Sequence, residues 1–107
     1  MERNREIYEV VWAYYFPAIN ISGVPCIKSK IFDSEYTAKL CFESQKRYIP
    51  RHLQICGGID FSNWKVKSGE GYLNIIHPLG IEHGFIKIKL SLLNLRTSWI
   101  PDLHCEL

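Results

Sequence analysis

The fold is decided by residues 7–16, IYEVVWAYYF, in which every even position is apolar and most odd positions are apolar too. Alternate residues of a strand point to opposite faces of its sheet, so this stretch predicts a β-strand that is apolar on both faces. We expect such a strand in the interior of its sheet or beneath a second layer. Pro17 ends the strand, and Asn20-Ile21-Ser22-Gly23 is typical of a turn.

The next stretch, CIKSKIF at residues 26–32, predicts a second strand that pairs with the first in a hairpin. Alternation sends Ile27 and Ile31 to one face of the sheet and Lys28 and Lys30 to the other. We expect the two isoleucines to be buried and the two lysines to be exposed. A register error of one residue would exchange the two sets.

A helix is predicted from about Ser34 to Ile49. The pair Asp33-Ser34 is typical of a helix N-cap, because short polar side chains accept hydrogen bonds from the first free backbone N–H groups. Pro50 is expected to end the helix, since proline has no backbone N–H to donate. The helix face that should pack against the sheet, including Trp12 and Tyr14, carries Ala38, Cys41 and Phe42.

The rest of the chain predicts strands and turns. Residues 53–56 and 59–67 would form a hairpin around Gly57-Gly58, a pair that accommodates the positive φ angles of a tight turn. Further strands are predicted at residues 72–77 and 85–92, and the apolar tail 96–107 is expected to pack back as a turn or edge segment. This order, ββα followed by three or four strands, predicts an α+β fold. Its antiparallel sheet would have about five to six strands, with one helix packed on one face.

Composition predicts an ordinary globular protein. With 107 residues, 47% of them apolar and 22% charged, the chain is expected to form one domain over residues 1–107. No apolar run approaches the roughly 20 residues that span a bilayer, and the charged start MERNRE is unlike a secretory signal. We therefore expect a cytoplasmic protein without a membrane partner. In that compartment reduced thiols are expected at Cys26, Cys41, Cys56 and Cys105.

Three lysine pairs share one spacing within the predicted strands: Lys28-x-Lys30, Lys65-x-Lys67 and Lys87-x-Lys89. The two lysines of a pair point to the same face, so one sheet could carry all six on a lysine-rich surface. One interpretation is a solvated face whose lysines also protect sheet edges from pairing. The other is a site for an anionic partner. Phe85, on the same face as Lys87 and Lys89, and Phe32, on the same face as Lys28 and Lys30, would then offer rings for base stacking. The alternative for both rings is packing beneath the tail.

Signatures of metal binding and catalysis are missing from the sequence. Its histidines and cysteines lack the close paired spacing of structural zinc sites. On a strand, His52 and Cys56 would lie roughly 13 Å apart, too far to share an ion. An enzyme that uses Cys56 or Cys105 is the third hypothesis, because cysteine, histidine and aspartate occur in any chain of this size and no catalytic or phosphate-binding motif is recognisable. We expect no metal, no cofactor and no enzymatic activity.

Two loops, residues 17–24 and 78–84, combine glycine and proline with large aliphatic residues. Side chains of this size either tuck into the core or remain exposed as anchors for a protein partner. The four residues concerned are Ile19, Ile21, Leu79 and Ile81.

The function predicted from these features is a small protein-binding module, such as a stoichiometric inhibitor or an immunity-type protein that covers a macromolecular partner. The candidate binding residues are Ile19, Ile21, Leu79 and Ile81 of the loops and Lys28, Lys30, Lys65, Lys67, Lys87 and Lys89 of the strands. The alternative is a nucleic-acid-binding domain that uses the lysine-rich sheet face. Phosphate binding weakens steeply with salt, whereas an apolar protein interface barely responds, so salt dependence separates the two.

Overall fold

Five antiparallel strands and one long helix make up the fold, and the computed structural model describes residues 4–20 and 22–96. The predicted α+β fold is confirmed, with the order ββα followed by three strands. A short 3₁₀ turn, Ile81–His83, precedes the last strand. The elements are β1 Asn4–Tyr15, β2 Cys26–Phe32, α1 Glu35–Gly57, β3 Lys65–Gly69, β4 Tyr72–Ile76 and β5 Phe85–Arg96.

The strands follow the spatial order β2-β1-β5-β4-β3, and every neighbouring pair is antiparallel. β1 pairs with β2 on one side and along its whole length with β5 on the other. The prediction that this doubly apolar strand is interior is therefore confirmed. β2 and β3 form the two edges of the sheet.

The core lies between α1 and one face of the sheet. Val10 of β1 and Ile86 and Ile88 of β5 are fully buried there, and each such side chain stabilises the fold by about 1.5–3 kcal/mol. From the helix side, Ala38 and Phe42 are buried as predicted, and Cys41 is half-buried. Trp12 and Tyr14 pack against the same core.

The predicted helix end at Pro50 is wrong, because α1 continues through Pro50 to Gly57. An interior proline costs a helix about 3 kcal/mol. Ile49 and Leu53, four residues apart on the face that meets the sheet, are both buried. Burying two such side chains stabilises by about 3–6 kcal/mol, enough to offset the proline.

The continued helix also overturns the predicted hairpin around Gly57-Gly58. Residues 53–56, predicted as a strand, belong to α1, and the following strand begins only at Lys65. Gly58 caps the helix in the left-handed conformation, with φ of 67°, and its N–H donates to the Leu53 carbonyl. The glycine pair thus supplies a helix end rather than a strand turn.

The predicted burial of Ile27 and Ile31 is also wrong, since their side chains are 64% and 58% exposed. Their alternation with the lysines is as expected. However, β2 pairs with β1 so that Lys30 lies opposite Val10. Directly opposite residues share a face in an antiparallel pair, so the lysines take the helix side and the isoleucines take the other.

No helix within residues 4–20 and 22–96 is long and apolar enough to cross a membrane. The predicted packing of the tail concerns residues 97–107, which lie outside the described part of the chain, as does Ile21.

Candidate functional site

The sheet face opposite α1, called the open face here, brings two of the three lysine pairs together. In the register, Lys67 lies opposite Asn74, and Asn74 lies opposite Lys87. The pairs from β3 and β5 therefore stand two strands apart on one surface, with β4 between them. The third pair, Lys28 and Lys30, lies on the helix side of β2 and is not part of this surface. All six lysines are exposed, as predicted.

We call Lys65, Lys67, Lys87 and Lys89 the lysine half of the open face. Tyr72, itself partly exposed, lies directly opposite Lys89. The Lys87 ammonium lies 5.8 Å from the centre of the Phe85 ring, which confirms that these two side chains share a face. β3, β4 and β5 contain no aspartate or glutamate. The lysine half is therefore positive and has no carboxylate within its own strands.

The other half of the open face, formed by β1 and β2, is aliphatic. We call Ile7, Val11, Ala13, Ile27 and Ile31 the aliphatic half. Cross-strand pairing places Ile27 beside Ala13 and Ile31 beside Glu9, the one carboxylate on the open face among the described side chains. Exposed isoleucines next to a lysine surface form a mixed apolar and basic patch.

The two predicted loops meet at one end of the sheet, because Tyr15 at the end of β1 pairs with Phe85 at the start of β5. Between them lies a shallow, mainly apolar pocket of about 380 Å³. Ile81 and Glu82 come from the second loop, Gly23 and Pro25 from the first connection, and Tyr15 and Phe85 form its floor. The pocket thus continues the open face beyond the strand ends.

The three loop aliphatics that the structure describes do not form one cluster. Ile81 lines the pocket, whereas Leu79, at 69% exposure, projects from the same loop outside it. Ile19 turns away, and its Cδ1 atom would lie 3.1 Å from a Cβ added to Gly57 at the end of α1. Ile19 therefore packs towards the helix, while Ile21 is not among the described residues.

An aromatic cluster that the sequence did not predict supports the second loop. The Trp64 ring lies 5.7 Å from Phe16 and 4.8 Å from His77 between ring centres. The His77 Nδ1 atom accepts a hydrogen bond of 3.0 Å from the backbone N–H of Leu79. Gly84, with φ of 148°, leaves no room for a Cβ against Trp64. These contacts hold Leu79 and Ile81 on a defined turn.

A groove of about 320 Å³ lies on the other side of the sheet, between β2 and α1. Tyr14 and Lys28 line it from the sheet, and Tyr48 and His52 line it from the helix. The Tyr48 hydroxyl and His52 Nδ1 lie 3.4 Å apart, with their rings stacked. Tyr48 and His52 are four residues apart, a spacing that places two side chains next to each other on a helix, so the sequence contained a pattern that predicts this contact.

Two thiols adjoin the groove and the nearby helix face. A hydrogen bond with Cys26, followed by burial, raises the pKa of Tyr14 above its usual value. Burial raises the pKa of the Cys41 thiol, and the nearby Lys30 only partly opposes this, so Cys41 favours the unreactive protonated form. Cys26, Cys41 and Cys56 are free cysteines, while Cys105 lies outside the described residues. The reduced state of all four stays a prediction.

His52 and Cys56 lie one turn apart on α1, so the strand distance expected for them does not apply. Within the described ranges, no group of three or more histidine, cysteine, aspartate or glutamate side chains could hold a metal ion.

No protein-family model matches this chain, and neither a curated protein nor a solved structure matches it.

Proposed function

We propose that this protein is a non-enzymatic binding module that covers an acidic surface of a protein partner with its open face, as a stoichiometric inhibitor or immunity-type protein does. The observation that supports this best is the lysine half, four exposed lysines on strands without a carboxylate. Such a field attracts an acidic partner and speeds its association.

The aliphatic half favours a protein over a nucleic acid. Ile27 and Ile31 together expose large aliphatic surfaces beside the lysines, and an interface that buries them gains roughly 25 cal/mol per Å² before the costs of association. Phosphate groups and sugars offer little apolar surface in return. Ile81, at the pocket between the loops, would add an anchor at the rim of the same face.

The test is affinity capture from the native host with quantitative mass spectrometry, using three forms of the protein. The wild type should enrich a defined partner in a stoichiometric complex. Lys87→Glu with Lys89→Glu should deplete that partner at low salt. Lys39→Glu with Arg47→Glu changes the net charge equally but lies at exposed positions of α1, off the open face, so this variant should retain the partner. Loss of the partner from both variants alike would contradict recognition by the open face.

A nucleic acid is the second candidate, supported by the two rings within the lysine half. Tyr72 and Phe85 share the open face with Lys87 and Lys89, and single strands bind where bases stack on aromatic rings between basic residues. If all four lysines contact phosphates of a single strand, log affinity should fall with log salt at a slope of about −3. A fluorescent single-stranded oligonucleotide titrated between 50 and 200 mM salt, roughly the range over which this effect is large, measures that slope directly.

A further inference from the structure

Among the described residues, β2 is an edge strand of the sheet. It pairs with β1 on one side, and no residue of the described ranges pairs with its other side. Its five central residues, 27–31, are all exposed. An uncovered edge presents a row of backbone N–H and C=O groups, which can accept a further strand.

The lysines of β2 disfavour pairing with a second copy of this chain. A twofold axis through Ser29 would place Lys28 of one copy opposite Lys30 of the other, on the same face. A shift of the axis by one residue places Lys28 or Lys30 opposite its own copy. Like charges directly opposite each other are destabilising, whereas a carboxylate at the same position is stabilising. The edge is therefore suited to a different strand, one with acidic residues.

The groove beside β2 lies where those acidic side chains would point. A strand added to β2 would send alternate side chains to the helix side, opposite Lys28 and Lys30, and the intervening ones to the open face, opposite Ile27 and Ile31. On the helix side, Lys28, Tyr48 and His52 line the groove. These groups can hydrogen-bond to a carboxylate, while the isoleucines match apolar side chains.

We propose that β2 and this groove bind an extended segment of another protein in which acidic and apolar residues alternate. The backbone of the segment continues the sheet, its acidic residues face Lys28 and Lys30, and its apolar residues cover Ile27 and Ile31. This site uses the outer edge of β2 and the groove on the helix side, and it shares Ile27 and Ile31 with the open face. It does not use the lysine half, so variants of Lys28 and Lys30 and variants of Lys87 and Lys89 test the two proposals separately.

A designed peptide tests this site. The probe is a fluorescently labelled, end-capped heptapeptide of alternating valine and glutamate, titrated by anisotropy against the full chain. Saturable binding should be accompanied by slower amide hydrogen exchange in residues 26–32. The same peptide with N-methyl groups on all its amides should bind at least about tenfold more weakly, since it has no N–H group left to donate to β2. A heptapeptide of equal composition with its glutamates contiguous should be weakened similarly.

Matched protein variants locate the binding. Lys28→Glu with Lys30→Glu should weaken the alternating peptide by at least about tenfold. Lys39→Glu with Arg47→Glu makes the same charge change at exposed positions of α1, outside both proposed sites, and should leave binding within about twofold of wild type. Denaturant titration confirms that each variant is folded. The inference is overturned by absence of saturable binding, by equal binding of the N-methylated peptide, or by equal losses in the β2 and α1 variants.

Discussion

The two faces of this sheet arise from the same alternating sequence pattern, but one is buried beneath α1 and the other is exposed. On the helix side, Ile86 and Ile88 of β5 are buried beneath α1, while on the open face the side chains that alternate with them are Lys87 and Lys89. On β2 the assignment is reversed, since lysines take the helix side and isoleucines the open face. An apolar strand position is therefore buried only where a second layer covers it. Uncovered isoleucines become surface that a partner can use.

The largest expected effect is on the covered side, at the centre of the α1 contact. Phe42→Ala should lower the free energy of unfolding by about 3–5 kcal/mol, because it empties a packed aromatic site. Tyr36→Ala on the same helix is the control, since Tyr36 is exposed and its loss should cost about 0.5 kcal/mol or less. Urea titration measures both changes. A loss below about 1 kcal/mol for Phe42→Ala would mean that α1 does not pack on this face.

A pair of isoleucine variants compares the two faces directly. Ile86→Ala should destabilise the protein by about 2–5 kcal/mol, because Ile86 is fully buried under the helix. Ile27→Ala on the open face should change stability by about 0.5 kcal/mol or less, since most of its side chain is already in water. Guanidinium titrations under identical conditions measure the difference. Equal losses at the two positions would show that the open face is covered in solution.

Once a partner is captured, binding kinetics compare the role of the loop aliphatics with that of the lysine half. Ile81→Ala should raise the dissociation rate about tenfold, which corresponds to roughly 1.4 kcal/mol, because an apolar anchor acts after contact. Leu79→Ala should have a similar effect if Leu79 also enters the interface. Lys87→Glu with Lys89→Glu should instead lower the association rate, most strongly at low salt. Kinetics on an immobilised partner separate the two rates. Normal dissociation of both loop variants, with binding abolished by the lysine reversals, would favour an acidic or phosphate-bearing ligand without an apolar anchor.

The smallest expected effect on stability comes from Asp60, which lies outside both sheet faces in the turn before β3. The Asp60 carboxylate accepts a hydrogen bond of 3.0 Å from the Ser62 N–H, and this bond lowers the pKa of Asp60 below its usual 3.8. Because the pKa of Asp60 is lower in the folded state than in the unfolded state, its ionised carboxylate stabilises the fold at pH values above the unfolded-state pKa. This contribution is lost as the pH falls through the folded-state pKa. The difference in free energy of unfolding, wild type minus Asp60→Asn, should therefore be constant above about pH 5 and decrease below about pH 4. Urea titrations across this range measure it, and a difference independent of pH would refute the role of the carboxylate.

Part of the candidate site was predictable from short-range pattern. The exposure of Lys87 and Lys89 follows from alternation, and so does the shared face of Phe85 and Lys87. The other four lysines are exposed because they lie on the edge strands β2 and β3, where the residues between them are exposed as well. The groove between β2 and α1 was not predictable, because its walls come from two elements whose relative position no local pattern encodes. The convergence of the two loops likewise depends on the pairing of Tyr15 with Phe85.

The sequence by itself determined the elements that rest on local chemistry: where the strands alternate, where Ser34 caps the helix, and that the order is ββα followed by strands. The tertiary structure decided which face of each strand is covered and how far α1 extends. A period of two defines two faces but does not say which one a helix will cover, because register with neighbouring strands makes that choice. Pro50 is helical for a similar reason, since the burial of Ile49 and Leu53 against the sheet outweighs a local preference.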